Sequence, residues 1–209
     1  MPTPPPLREP APEHPAEPFP VLTARTRVRR LRADDLPGFQ AIRQDPEVGR
    51  WQGWTPVDDA TAAAFLAAMS SGPWHRPGEW TQMALADRET DALFGDIGLH
   101  WPARAGAPLE IGFSLARSAQ GRGLAHESVG AALQAIFRTG VAPACVAITD
   151  TRNTASVRLL ERLGFARIAT EPATFREEPC EEHHYLLTGE NAGGGPSPNQ
   201  SPNQSPKQP

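Results

Sequence analysis

The 209-residue chain carries a formal net charge of -4 and 39% hydrophobic residues, enough apolar material for one domain with a core but not for two. A pI near 5.9 argues against a broad basic surface, so neither nucleic acid nor an anionic membrane is an expected partner, and the sign suits a basic substrate. No stretch approaches the roughly 18 apolar residues of a membrane span, and the Pro- and Glu-rich start cannot supply a signal peptide's apolar segment, so a cytoplasmic location is the expectation.

Residues 1–20 are dense in proline and nearly free of aliphatic side chains, a composition that predicts a disordered arm. Residues 189–209 combine a Gly-rich hinge with repeated SPNQ tetrads and predict a flexible tail. Between them, residues 21–188 form the expected domain. A short strand over Arg25–Leu31 leads to Asp34 or Asp35 as the cap of a helix over Leu36–Gln44, which Asp45-Pro46 breaks. An aromatic loop, Trp51 to Trp54, precedes an Ala-rich helix capped by Asp58 and running to about Ser70. Thr81–Asp87, Ala92–Trp101 and Leu109–Leu115 read as three strands of an antiparallel meander. In the third, Leu109, Ile111, Phe113 and Leu115 share one face and Glu110, Gly112 and Ser114 the other. From Ala125, the spacing of Val129, Ala132, Leu133 and Ile136 predicts a helix. A strand over Ala144–Thr149, a helix capped by Asn153, and strands over Phe165–Ala169 and His183–Leu187 close an α+β pattern. Cys145 and Cys180 belong to no CxxC pair and read as free thiols.

The informative motif is Gln120-Gly121-Arg122-Gly123-Leu124-Ala125, set between a strand and a helix. Small residues there expose backbone N–H groups to which a diphosphate can draw close, with the helix dipole adding positive potential. A Walker loop would need Gly-Lys-Ser/Thr, and a dinucleotide fingerprint would need a third glycine where His126 stands.

These residues resemble the pyrophosphate-binding pattern of GNAT N-acetyltransferases, Gln/Arg-x-x-Gly-x-Gly/Ala. EIGFSL before it, NTAS after it and ERLGF at the last helix end lie where that family has them. Within the superfamily the chain is similar to the RimJ/RimL branch, which acetylates ribosomal-protein N-termini, with Asn153, Ser156, Glu161, Gly164 and Phe165 filling the branch pattern. The resemblance implies a single GNAT domain, a mixed and mostly antiparallel twisted sheet of about six to seven strands flanked by about four helices. It also implies acetyl-CoA as cosubstrate and no metal. Phe113, Ser114 and Leu115 would pair with the pantetheine arm. The amides of Gln120, Gly121, Arg122, Gly123, Leu124 and Ala125 would hold the pyrophosphate, and an N–H near Leu115 would serve the oxyanion. Arg122 either neutralises a phosphate or is merely solvated, and Glu127 reads as a favourable charge in a helix's first turn.

Asn153 either binds the pantetheine amides or caps its helix, and the two are compatible. Ser156 either protonates the departing thiolate or is backbone-bonded. Many GNAT enzymes place a Tyr as that acid where this chain has Leu160, which leaves Ser156 or Tyr185 as substitutes. Glu110 is the candidate base, acting through a water, against a plain surface carboxylate, and His100 is the other candidate. An α-amine, with a reference pKa of about 7.7 to 8.0, demands a weaker base than lysine, which needs roughly 3 to 4 kcal/mol to deprotonate. The glutamates within Glu177 to Glu182 read as an acidic loop near the acceptor cleft or a solvated loop, and Trp51 and Trp54 as cleft lining or core. The expected acceptor is a protein N-terminal α-amine. The alternatives are a small amine (polyamine, aminoglycoside or amino-acid-like) and a non-catalytic acyl-CoA-binding module, with monomer and homodimer both open.

Overall fold

The computed structural model describes residues 15–190. Val21–Leu22 (β1) and Thr26–Arg30 (β2) form its first antiparallel pair. Leu36–Arg43 (α1) stops before Asp45-Pro46. Asp45 then accepts the Glu47 N–H and caps a four-residue helix, Pro46–Gly49 (α2). The Asp58 carboxylate accepts the Thr61 N–H at 2.7 Å and starts Asp59–Ser71 (α3). Trp80–Asp87 (β3), Leu93–His100 (β4) and Leu109–Leu115 (β5) make the expected meander. Leu124–Arg138 (α4), Ala144–Asp150 (β6), Thr154–Arg162 (α5), Ala166–Phe175 (β7) and Glu178–Thr188 (β8) complete the fold.

The described strands join one sheet in the order β1-β2-β3-β4-β5-β6-β8-β7. Its neighbours are antiparallel except β5 and β6, which run parallel. Strand alternation sends residues to two cores. Val28, Met83, Leu85, Ile97 and Leu99 pack with Val129, Leu133 and Ile136 of α4 on one face. Leu31 and Ala84 pack on the other under Phe39, Leu66 and Met69 from α1 and α3. Each fully buried aliphatic side chain contributes about 1.5–3 kcal/mol, so the sheet is pinned from both sides.

Three expectations are corrected. The sheet has eight strands and the fold five α-helices among the described residues, because β1 and α2 are too short to show a period. The ordered chain begins before residue 21. Pro15 is buried and its carbonyl accepts the Trp74 indole N–H at 2.9 Å, Phe19 meets Trp74 edge-on at 6.2 Å, and Glu17 pairs with Arg30 at 2.6 Å. One aromatic ring and one carboxylate are enough to dock that segment; the rest of the predicted arm, 1–14, and the tail from 191 lie outside the described residues. The acidic run is not a loop beyond its first residue, since Glu178 to Glu182 begin a strand that pairs with β7, and from Glu182 with β6 as well. Glu and Pro have low strand propensity, and pairing along β7 overrides it.

Glu127, in the first turn of α4, does more than favour the dipole. Its carboxylate accepts the Thr23 hydroxyl at 2.6 Å, the Arg25 backbone N–H at 2.7 Å and the Arg25 guanidinium at 2.6 and 2.7 Å, tying α4 to the β1–β2 turn. Desolvation raises its pKa, but the bonds from Thr23 and Arg25 outweigh it and hold the carboxyl below the usual carboxylate range. Glu127→Gln is therefore expected to destabilise the fold by about 1–2 kcal/mol at pH 7, a figure discounted for the exposed Arg25 end. A carboxyl with a depressed folded pKa contributes stability above its unfolded pKa and loses it as pH falls through the folded value. Urea melts should thus show the gap between the two proteins shrinking below about pH 4.

Candidate functional site

The site begins where the parallel pairing stops. β5 and β6 share only the register pairs Leu109↔Cys145 and Glu110↔Val146, and beyond them the strands part. Ala116 donates its N–H to Phe94 O across β4 at 2.9 Å. Ladder alternation therefore turns the N–H and C=O groups of Ile111, Phe113 and Leu115 the other way, toward β6, and past the last pair those of Phe113 and Leu115 face the gap. Two side chains reach those edges: Gln52 Nε2 donates to Phe113 O at 3.3 Å, and Gln120 Nε2 donates to Leu115 O at 3.0 Å. Gln120 thereby ties the Gly-rich turn to the end of β5.

The turn itself uses left-handed backbone at Gly121 (φ 70°) and Gly123 (φ 77°), a region that costs a residue with a Cβ about 1–2 kcal/mol. Gly123 precedes α4, so the first N–H groups of that helix have no partner within it and face the cleft mouth together with the positive end of the dipole. Arg25 braces the turn from outside, donating to Arg122 O at 3.0 Å. Arg122 itself is exposed and lines neither of the two cavities described below.

A cleft of ≈ 790 Å³ opens along this edge, walled by Phe113 to Leu115, Gln120, Gly121, Gly123 to His126, Asn153, Ser156 and Leu159. Arg117, Arg158 and Arg162 also line it, a cationic set suited to a polyanionic ligand. A second cavity of ≈ 120 Å³ lies deeper in the gap, between Ile111 to Phe113 on β5 and Ala147 to Asp150 on β6, closed by Leu160, Phe175 and Glu182. Trp51, Gln52, Phe113, Asn153 and Ser156 border both cavities.

Of the residues expected from sequence, the structure brings Phe113, Ser114, Leu115, Gln120, Gly121, Gly123, Leu124, Ala125, Asn153 and Ser156 together around the cleft. Asn153 caps α5, its Oδ1 accepting the Ser156 N–H at 3.2 Å. Glu110 forms no wall of either cavity; it pairs with His100 and Val146 where β5 and β6 are still joined. His100 stacks near Trp80 at 5.2 Å, also away from the cavities. Tyr185, the chain's single tyrosine, is fully buried and donates to Glu161 at 3.4 Å; desolvation and the adjacent Glu161 raise its pKa. Trp51 and Trp54 divide the two roles left open for them. Trp51 is a cavity wall flanked by Arg50 and Arg152, whereas Trp54 packs on Arg43 at 4.5 Å. Both cysteines are free, and burial pushes the Cys145 thiol well above its ordinary value.

The sequence placed the glutamates within Glu177 to Glu182 near the acceptor cleft, and of these Glu182 lines the small cavity; it missed Asp150, the register partner of Glu182 across β6 and β8, which lines it too. Bidentate bonds from Arg152, at 2.6 and 2.9 Å, hold Asp150 below the usual carboxylate range. No local signal joins residues thirty-two positions apart (182 − 150); only the sheet does. Gln52, Arg25 and Arg176 were missed for the same reason. Among the described residues no group of three or more His, Cys, Asp or Glu is arranged to hold a metal ion, and no helix is long and apolar enough to cross a membrane.

Residues 25–166 match the family model described as an acetyltransferase (GNAT) domain. The N-acetyltransferase p20 of Bacillus licheniformis is 26% identical over 147 residues, spanning 70% of this chain and 82% of its own. Among solved structures, RimJ of Mycobacterium smegmatis in complex with CoA-disulfide superposes with a TM-score of 0.72 at 16% identity, over 87% of this chain and 93% of that one. RimL, a ribosomal L7/L12 α-N-protein acetyltransferase in complex with coenzyme A, gives 0.67 at 15% identity over 79% and 95%. Because the turn that frees backbone amides and the strands that part around the cleft both lie inside the matched span, the chain belongs to the GNAT acetyltransferases and is an acetyl-CoA-dependent enzyme of acetyl transfer.

Proposed function

We propose that the chain acetylates a protein N-terminal α-amine, with acetyl-CoA in the larger cleft, the amine in the smaller cavity and direct attack where the two meet. The observation that carries this reading is the shared wall. Trp51, Gln52, Phe113, Asn153 and Ser156 border both cavities, so a nitrogen and a thioester carbon can occupy one continuous space with no need for an acyl-enzyme. The likeness to RimJ and to RimL, whose own description is an α-N-protein acetyltransferase, supports a protein N-terminus as the acceptor.

The fit to acetyl-CoA rests on the free amides at the start of α4, the cationic side chains around them, and the unpaired edge of β5. In this reading the amides of Gly121, Gly123, Leu124 and Ala125 hold the pyrophosphate, Phe113 to Leu115 offer main-chain partners to the pantetheine, and Asn153 adds its carboxamide. Acetyl-CoA supplies the activated acyl group. The Leu115 N–H faces the developing oxyanion, and the Ser156 hydroxyl, which makes no bond among the described residues, donates to the departing thiolate. Tyr185 is committed to Glu161, which removes the other candidate acid. Asp150 stays ionised and draws the ammonium form into the cavity. Glu182 takes the proton through a water, a role assigned from position in preference to Glu110. A carboxylate suffices because an α-amine with a pKa of about 7.7 to 8.0 is already partly neutral. The same negative wall suits a small cationic amine, so polyamines and aminoglycosides belong in the test.

Thiol release from acetyl-CoA should be followed with purified protein against N-terminal peptides, polyamines and aminoglycosides. Turnover with the peptides is expected; turnover confined to small amines reassigns the acceptor, and none with any amine overturns the reading. With the productive acceptor, Ser156→Ala and Glu182→Gln should each lower kcat about 10²-fold, within the usual range of general acid–base catalysis, and Glu110→Gln should change it by less than about 3-fold. Gly121→Val should raise the Kd for CoA about 10-fold or more by calorimetry, since a β-branched residue cannot keep the turn's left-handed backbone.

A further inference from the structure

The β7–β8 hairpin turns through two residues, Arg176 and Glu177, between the register partners Phe175 and Glu178. Both carry positive φ, 50° and 67°, where a two-residue hairpin ordinarily places Asn or Gly. The Arg176 guanidinium reaches across to the α2 end and the aromatic loop. Its Nη2 lies 3.1 Å from Gly49 O, 3.0 Å from Gln52 O and 3.2 Å from Trp54 O. It also sits 5.5 Å from the ring of Phe175. Phe175, Trp51 and Gln52 all line the small cavity, and the Gln52 carboxamide touches Phe113 O on β5.

We propose that Arg176 is the positioning residue of the acceptor cavity: it clasps the 49–54 loop to the hairpin and so fixes Trp51, Gln52 and Phe175 around the amine. The proposal rests on the acceptor assignment made above, but the clasp itself does not. Three carbonyls of the 49–54 segment, of which Gly49 O also accepts the Gln52 N–H, converge on one cation, and its attachment at the hairpin tip couples that segment directly to the Phe175 wall of the cavity. The Gly-rich turn and the start of α4 lie outside this connection, whereas Trp51 and Gln52 border the larger cleft as well, so loss of the clasp acts more on the acceptor than on the cosubstrate.

Hydrogen exchange by mass spectrometry on full-length protein tests the clasp without any acceptor. In Arg176→Ala, amides 50–55 should exchange about 10-fold faster, the loss of hydrogen bonds to a charged group, while α4 is unchanged. Arg176→Lys should recover part of the protection, since an ammonium also serves convergent carbonyls. Glu177→Gly, which suits the positive φ and leaves Arg176 in place, should match wild type. In kinetics with the productive acceptor, Arg176→Ala should raise the acceptor KM about 10-fold and leave the CoA Kd within about 2-fold. Unchanged exchange at 50–55, or equal rises in acceptor KM and CoA Kd, overturns the proposal. If no amine turns over in wild type the acceptor assignment fails, and the exchange result alone then upholds or overturns the clasp.

Discussion

The parting of β5 from β6 after two register pairs is the constraint on which the site depends. Each strand is engaged on its other edge, β5 with β4 from Glu110 to its end at Leu115 and β6 with β8 along its whole length. Neither can turn to follow the other, and the gap leaves main-chain donors and acceptors facing each other across empty space. Buried polar backbone groups carry a desolvation cost unless paired. Gln52 and Gln120 answer two of them, and the remainder form a ready main-chain edge for a ligand rich in amides.

Ion pairs set the loops around that gap more than they stabilise the sheet. Arg25 and Glu127 hold the β1–β2 turn against the start of α4, and the same Arg25 braces the glycine turn through Arg122 O. Arg43 pairs with the buried Asp96 and stacks between Phe39 and Trp54. A buried pair contributes little net stability, since desolvation of both ions offsets the attraction. What it does provide is a fixed seat for Trp54, next to the backbone that Arg176 grips. The aromatic loop is thus held from the core side by Arg43 and from the hairpin side by Arg176.

The two cavities also differ in electrostatic character. The larger is bordered by arginines and the amino end of α4, the smaller by Asp150 and Glu182. In the proposed function that contrast helps sort an anionic cosubstrate from a cationic amine before either makes specific contacts.

The sequence by itself determined the elements whose signals are local. Asp58 and Asn153 sit at the caps it implied, the strand read over Leu109 to Leu115 has the bounds of β5, and Gln120 to Ala125 line the cleft, except for the outward Arg122. Capping, period and positive-φ glycine depend on neighbours a few positions apart, so one chain read in order contains them. Tertiary structure alone decided the rest. It made the acidic run into a strand, docked residues 15–20 on Trp74, took Glu110 out of the cavity walls and brought Asp150 to Glu182. Those outcomes turn on which strands pair and where they part, and that is fixed by the simultaneous packing of distant segments, which no local pattern encodes.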